Sequence, residues 1–119
     1  MRVLAFTLSC IACALVASCG PSEAELTRWV DGAIRTIQES PDAVGTVATG
    51  KAVEQIQRYR SRMTGRASIL GFYDAGEEKV FTVQFENGDA FWFVLNAAKG
   101  KTKIVAIRRV DLVRGGPTE

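Results

Sequence analysis

The hydrophobic period of this sequence changes once, at Gly65, from spacings of three and four to alternation, and this switch limits the fold more than any composition does. Before it, Leu26, Trp29, Val30, Ala33, Ile34 and Ile37 predict an amphipathic helix over about 23–39, ended before Pro41. Ser22 followed three residues later by Glu25 forms a capping-box pattern, and Glu23 and Glu25 suit the positive helix start. Residues 41–50, with two glycines, a proline and an aspartate, read as a turn or a broken helix. Ala52, Val53, Ile56, Tyr59 and Met63 then predict a second helix over 51–63, closed by Thr64-Gly65.

After Gly65, residues 67–73, 80–86, 90–96 and 103–110 are strand candidates rich in Phe, Val, Ile and Trp, separated by turn clusters. The expected fold class is α+β: two N-terminal helices packed on a four-stranded antiparallel meander sheet.

The loop Glu86-Asn87-Gly88 sets the register. A two-residue turn at Asn87-Gly88 pairs Val83 with Trp92 and splits the apolar residues between faces. A three-residue loop with Gly88 left-handed pairs Val83 with Phe91 and Phe81 with Phe93, collecting them on one face. The three-residue loop is the expectation, because the first helix can then cover that face. In the next hairpin, Leu95 is expected beside Ile104 and Phe93 beside Ala106.

That register sends Trp92, Val94, Val105 and Ile107 to the opposite face, with Val80 and Thr82 nearby. A sheet with one wet side alternates more cleanly than this, so something covers these residues: the second helix, a second copy of the chain, or another protein. Trp92, Val94, Val105 and Ile107, with Tyr59 of the second helix, are the candidate partner surface.

Fifteen Lys and Arg against thirteen Asp and Glu give +2, too little for a nucleic-acid footprint. The densest basic run, Arg58, Arg60, Arg62 and Arg66, does not form one stripe, since 60 lies nearly opposite 58 and 62 on a helix. It reads as solvated surface beside a membrane, or as a contact for anionic headgroups or an acidic partner. Asp74, Glu77 and Glu78 read as a solvated turn.

The chain has no histidine, and its three cysteines, Cys10, Cys13 and Cys19, lie within the first nineteen residues. Arg2 and the amino terminus precede an apolar run from Val3 to Ala17 that ends in small residues, the pattern of a secretory signal too short for a comfortable membrane span. Cys10 and Cys13 fall inside the segment expected to be removed, which sets aside the redox or metal reading of their C-x-x-C spacing. What remains lacks the usual general base, thiol nucleophile and soft metal ligands, and no phosphate loop or nucleophile elbow appears. The expectation is a protein that is not an enzyme and carries no cofactor or metal.

Val16-Ala17-Ser18-Cys19 resembles the lipobox of bacterial lipoproteins. The resemblance implies a signal peptide over 1–18, cleavage before Cys19, and lipidation of its thiol and new amino group, palmitate included. The expected organisation is then a short lipidated tether at 19–21, a single domain over 22–114 and a flexible tail at 115–119. Gly20 stands where an aspartate favours inner-membrane retention, so the implied address is the inner leaflet of the outer membrane, facing the periplasm. Several acyl chains, at about 0.8 kcal/mol per buried CH₂, hold far more firmly than one.

From Gly71 onward the chain resembles the C-terminal half of small NTF2-like and cystatin-like domains, above all at Gly100-Lys101-Thr102-Lys103-Ile104-Val105. Thr102 replaces a frequent tryptophan of that strand, and the His and Asp of catalytic members are absent. The likeness implies a curved sheet wrapped on helices, used for ligand binding, dimerisation or partner recognition. The leading expectation is a non-catalytic, membrane-anchored lipoprotein that binds a protein partner, or a second copy, through its sheet or second helix. The alternatives are a small-ligand pocket between the first helix and Phe81, Phe91 and Phe93, an envelope-assembly subunit, or an immunity-type lipoprotein.

Overall fold

The computed structural model describes residues 21–98, 101–113 and 116–117. The expected signal peptide, the C-x-x-C pair and Cys19 lie outside the described residues. Helix α1 runs Glu23–Glu39. Ser22 Oγ accepts the Glu25 N–H at 3.2 Å while the Glu25 carboxylate accepts the Ser22 N–H at 3.1 Å, which satisfies two orphan donors of the first turn. Its stripe Leu26, Val30, Ala33, Ile34 and Ile37 is buried. Pro41 cannot continue the ladder, and Pro41–Thr46 forms a 3-10 turn. Helix α2 spans Gly50–Tyr59 and tightens into a second 3-10 turn, Arg60–Arg62, so the expected single helix to Met63 ends in a more tightly wound last turn.

Four strands follow as an antiparallel meander: β1 Ala67–Ala75, β2 Glu78–Phe85, β3 Ala90–Ala98 and β4 Lys101–Asp111. The protein is α+β, helices first and sheet second. A two-residue strand, β5 (Gly116–Pro117), pairs with Val110 and Asp111, so part of the stretch expected to be a flexible tail is held to the sheet.

The β2–β3 hairpin has the expected register, with Val83 opposite Phe91 and Phe81 opposite Phe93. Gly88 takes φ 97°, a left-handed conformation that L side chains rarely adopt, and the loop closes through Phe85 N–H to the Asp89 carbonyl at 2.8 Å.

The β3–β4 register departs from expectation in its second half. Leu95 lies opposite Ile104 as read, but Val94 lies opposite Ala106 and Phe93 opposite Ile107. Val105 is therefore an extra, bulged residue, and one extra residue reverses the faces of everything beyond it. Ile107 enters the core instead of the outer face, at 1% exposure.

Both helices pack on the same face. One continuous apolar cluster joins Leu26, Val30 and Ile34 of α1, Ala52, Ile56 and Tyr59 of α2, and Phe81, Phe91, Phe93 and Ile107 of the sheet. No buried side chain among the described residues is polar or charged.

The free edge of β4 is closed by its surroundings. Ile104 N–H donates to the Val47 carbonyl at 2.8 Å and its own carbonyl accepts Thr49 N–H at 3.1 Å, a short parallel bridge at Ala48. Gln55 Oε1 accepts the Ile107 N–H at 2.7 Å, and Lys103 Nζ donates to the Thr46 carbonyl at 2.6 Å. No described helix is long and apolar enough to cross a membrane.

Candidate partner-binding face

The register fixes which residues share the sheet face turned away from the helices. Four cross-strand rows follow from the pairings. At one end stand Ala75, Glu78, Asn96 and Lys103; next come Tyr73, Val80, Val94 and Ala106. The third row is Gly71, Thr82, Trp92 and Arg108, and the fourth is Ser68, Gln84, Ala90 and Val110. The second row is apolar across all four strands, and the third sets an indole beside a guanidinium.

None of Val80, Trp92, Val94, Val105 and Ala106 packs against the core cluster, although neighbouring side chains on the sheet leave each only half-buried. Tyr73 is 67% exposed, and Leu70, a bulged residue of β1 beside Gly71, is 51% exposed. Arg108 is exposed and forms no ion pair with the described residues. With both helices on the other side, no described helix covers the first three rows, whereas Ala90 and Val110 of the fourth row are buried.

Of the five residues expected at a partner surface, Trp92 and Val94 lie on the sheet face turned away from the helices, the bulged Val105 is half-buried outside the core cluster, and two are in the core. Ile107 is turned inward by the bulge. Tyr59 is 6% exposed, with its ring 5.3 Å from that of Phe91, because the stripe Ala52, Ile56 and Tyr59 faces the core. Helix α2 thus keeps no free apolar stripe. Leu70, Tyr73 and Arg108 belong to the face but escaped the sequence reading. The two-residue turn at Gly76-Glu77 was the signal for Tyr73, since it sets Tyr73 opposite Val80.

Two of the four arginines in the basic run serve the fold. Arg60 Nε donates to the Ile37 carbonyl at 3.1 Å, a last-turn acceptor of α1 that lacks a helical donor. Arg62 and Arg109 flank the Asp89 carboxylate at 3.6 and 3.3 Å, tying the β2–β3 hairpin to the 3-10 turn and to β4. In the β1–β2 turn, hydrogen bonds from Lys79 Nζ and from the Gly76 N–H hold the Asp74 carboxyl below the usual aspartate range. Lys79 also donates to the Gly76 carbonyl at 2.7 Å.

Among the described residues, no three carboxylates gather as a metal-binding group. Phe81, Phe91 and Phe93 are wholly enclosed in one cluster with α1, so the space between helix and sheet does not open to solvent. What the outer face offers is adhesion: apolar area to bury, one indole, and one unpaired cation to orient a partner. No protein-family model matches the chain, and no curated protein or solved structure matches it.

Proposed function

We propose that the chain is a non-catalytic lipoprotein, anchored through Cys19 to the outer membrane and facing the periplasm, that binds a protein partner with the outer face of its sheet. One observation carries the binding part: the row Tyr73, Val80, Val94 and Ala106, with Trp92 beside it, is apolar and uncovered by any described element. Contiguous apolar surface of this kind marks interaction sites. Arg108 gives the partner's chemistry, an apolar patch flanked by a carboxylate that meets the guanidinium. Helix α2 is the lesser route, since its stripe is spent on the core.

Two measurements test the reading. Palmitate labelling of cells should mark the wild-type chain and spare Cys19→Ala; an unlabelled wild type removes the anchor. Cross-linking in intact envelopes should then yield one adduct that Trp92→Asp and Arg108→Glu both lose and that Lys51→Glu, on the exposed side of α2, retains. Equal adducts from all of these proteins would show that the sheet face is not the recognition surface.

A further inference from the structure

The two edges of the sheet are treated differently. Strand β4 is closed by Val47, Thr49, Gln55 and β5. Strand β1 pairs with β2 on one side, and on its other side no described strand pairs with it. Natural sheets commonly defend such an edge with lysine, proline or a covering segment. Strand β1 contains neither residue and instead exposes two large apolar side chains, Leu70 and Tyr73.

We infer that two copies of the chain join through β1, paired antiparallel about a two-fold axis between Leu70 and Gly71. The register follows from the bulge. Ile69 lies opposite Val83 and Phe72 opposite Phe81, so both belong to the core side, and Leu70 is the extra residue between Ile69 and Gly71. The core side of β1 therefore reads Ala67, Ile69, Phe72 and Asp74, while Ser68, Gly71 and Tyr73 belong to the outer side. Antiparallel partners must match side to side. Leu70 on Leu70 sets Ile69 against Gly71 and breaks this rule; a dyad between Ile69 and Leu70 keeps it but opposes two branched side chains, and Tyr73 on Tyr73 keeps it over a shorter stretch. A dyad between Leu70 and Gly71 obeys it throughout, placing Ile69 beside Phe72, Ser68 beside Tyr73 and Ala67 beside Asp74 of the second copy.

The same register is complementary in shape. Leu70 meets Gly71 of the other copy, which has no side chain and whose Cβ position has nothing within 4 Å. Symmetry repeats the contact. The product joins two meanders into one sheet, the Tyr73 row of each copy meeting the Ser68 row of the other, and it forms whether or not Cys19 carries lipid.

Sedimentation of the full-length chain in density-matched detergent should give twice the chain mass. Leu70→Lys, which puts two ammonium groups near the dyad, should halve that mass while the chain stays folded, since Leu70 lies outside the core, and the thermal midpoint should fall only by what dimerisation contributed. The double variant Ser68→Cys/Tyr73→Cys should oxidise to a covalent dimer, while Ser68→Cys alone, with the native cysteines as background, should give no more than wild type. A wild-type monomer, a Leu70→Lys dimer, or equal cross-linking by the single and double cysteine variants overturns the inference.

Discussion

Truncating Ile107 tests the bulge at Val105, on which the composition of both sheet faces depends. Ile107→Ala removes three carbons from a side chain at 1% exposure. At about 0.8 kcal/mol per buried carbon the transfer loss is roughly 2.4 kcal/mol, and the cavity left beside Phe93 raises the cost to about 3 kcal/mol. Val94→Ala removes two carbons from a half-buried position outside the core cluster, and its cost stays under about 1 kcal/mol. The assay is urea unfolding followed by tryptophan fluorescence. With m near 2 kcal/mol/M for a domain of this size, Ile107→Ala should lower the midpoint by about 1.5 M and Val94→Ala by under about 0.5 M. Deleting Val105 supplies the sharper arm. Removing the extra residue leaves Ile104 and Ile107 on the core side, so the deletion should cost less than Ile107→Ala. Equal midpoints for Ile107→Ala and Val94→Ala, or an unfolded deletion variant, would refute the bulged register.

Gly65 has φ 79°, and a Cβ added there would lie 2.7 Å from Glu86 Cβ, so Gly65→Ala combines backbone strain with a clash. It should cost about 1–3 kcal/mol in a thermal melt, whereas Gly45→Ala, with open space and ordinary φ, should be within about 0.5 kcal/mol of wild type. Equal melting points for the two would remove the strain. Asp74 should titrate by NMR below an ordinary aspartate, and Lys79→Met should raise its midpoint because the hydrogen bond from Lys79 Nζ, the main cause of the depression, is lost. The folded-state value is the depressed one, so this carboxylate's contribution to stability is present above the unfolded aspartate range. It is lost as pH falls through the folded value. An unshifted Asp74 in wild type would contradict the hydrogen bonds from Lys79 and Gly76.

Much of this architecture is written in local chemistry. Ser22 with Glu25 starts α1, Pro41 stops it, and Gly88 selects the three-residue loop that brings Phe81, Phe91 and Phe93 to one face. Each depends on residues a few positions apart, where spacing and turn type are readable. The bulge at Val105 is different in kind. Ile104 is gripped by Val47 and Thr49, and Ile107 by Gln55, 52 residues away, so the extra residue is taken up between two clamps that no neighbouring residue announces. The outer face was legible through Trp92 and Val94 for the same local reasons. Its misread members, Ile107 and Tyr59, failed where long-range contacts decide which side is inside.

The described geometry also decides what the basic run can do if Cys19 holds the chain to a membrane, as proposed. Helix α1 begins two residues after Pro21, and its seventeen residues rise about 25 Å. Its far end is bonded to the basic turn: Gln38 donates to the carbonyls of Met63 and Gly65 at 3.1 and 2.9 Å, and Arg60 donates to Ile37. Were α1 to stand upright on that anchor, Arg58, Arg60, Arg62 and Arg66 would lie well beyond the roughly 8 Å over which salt leaves headgroup charge effective. In any orientation Arg60 completes a helix end and Arg62 grips Asp89, while Arg66 stands at the start of β1, at the level where a second chain would pair.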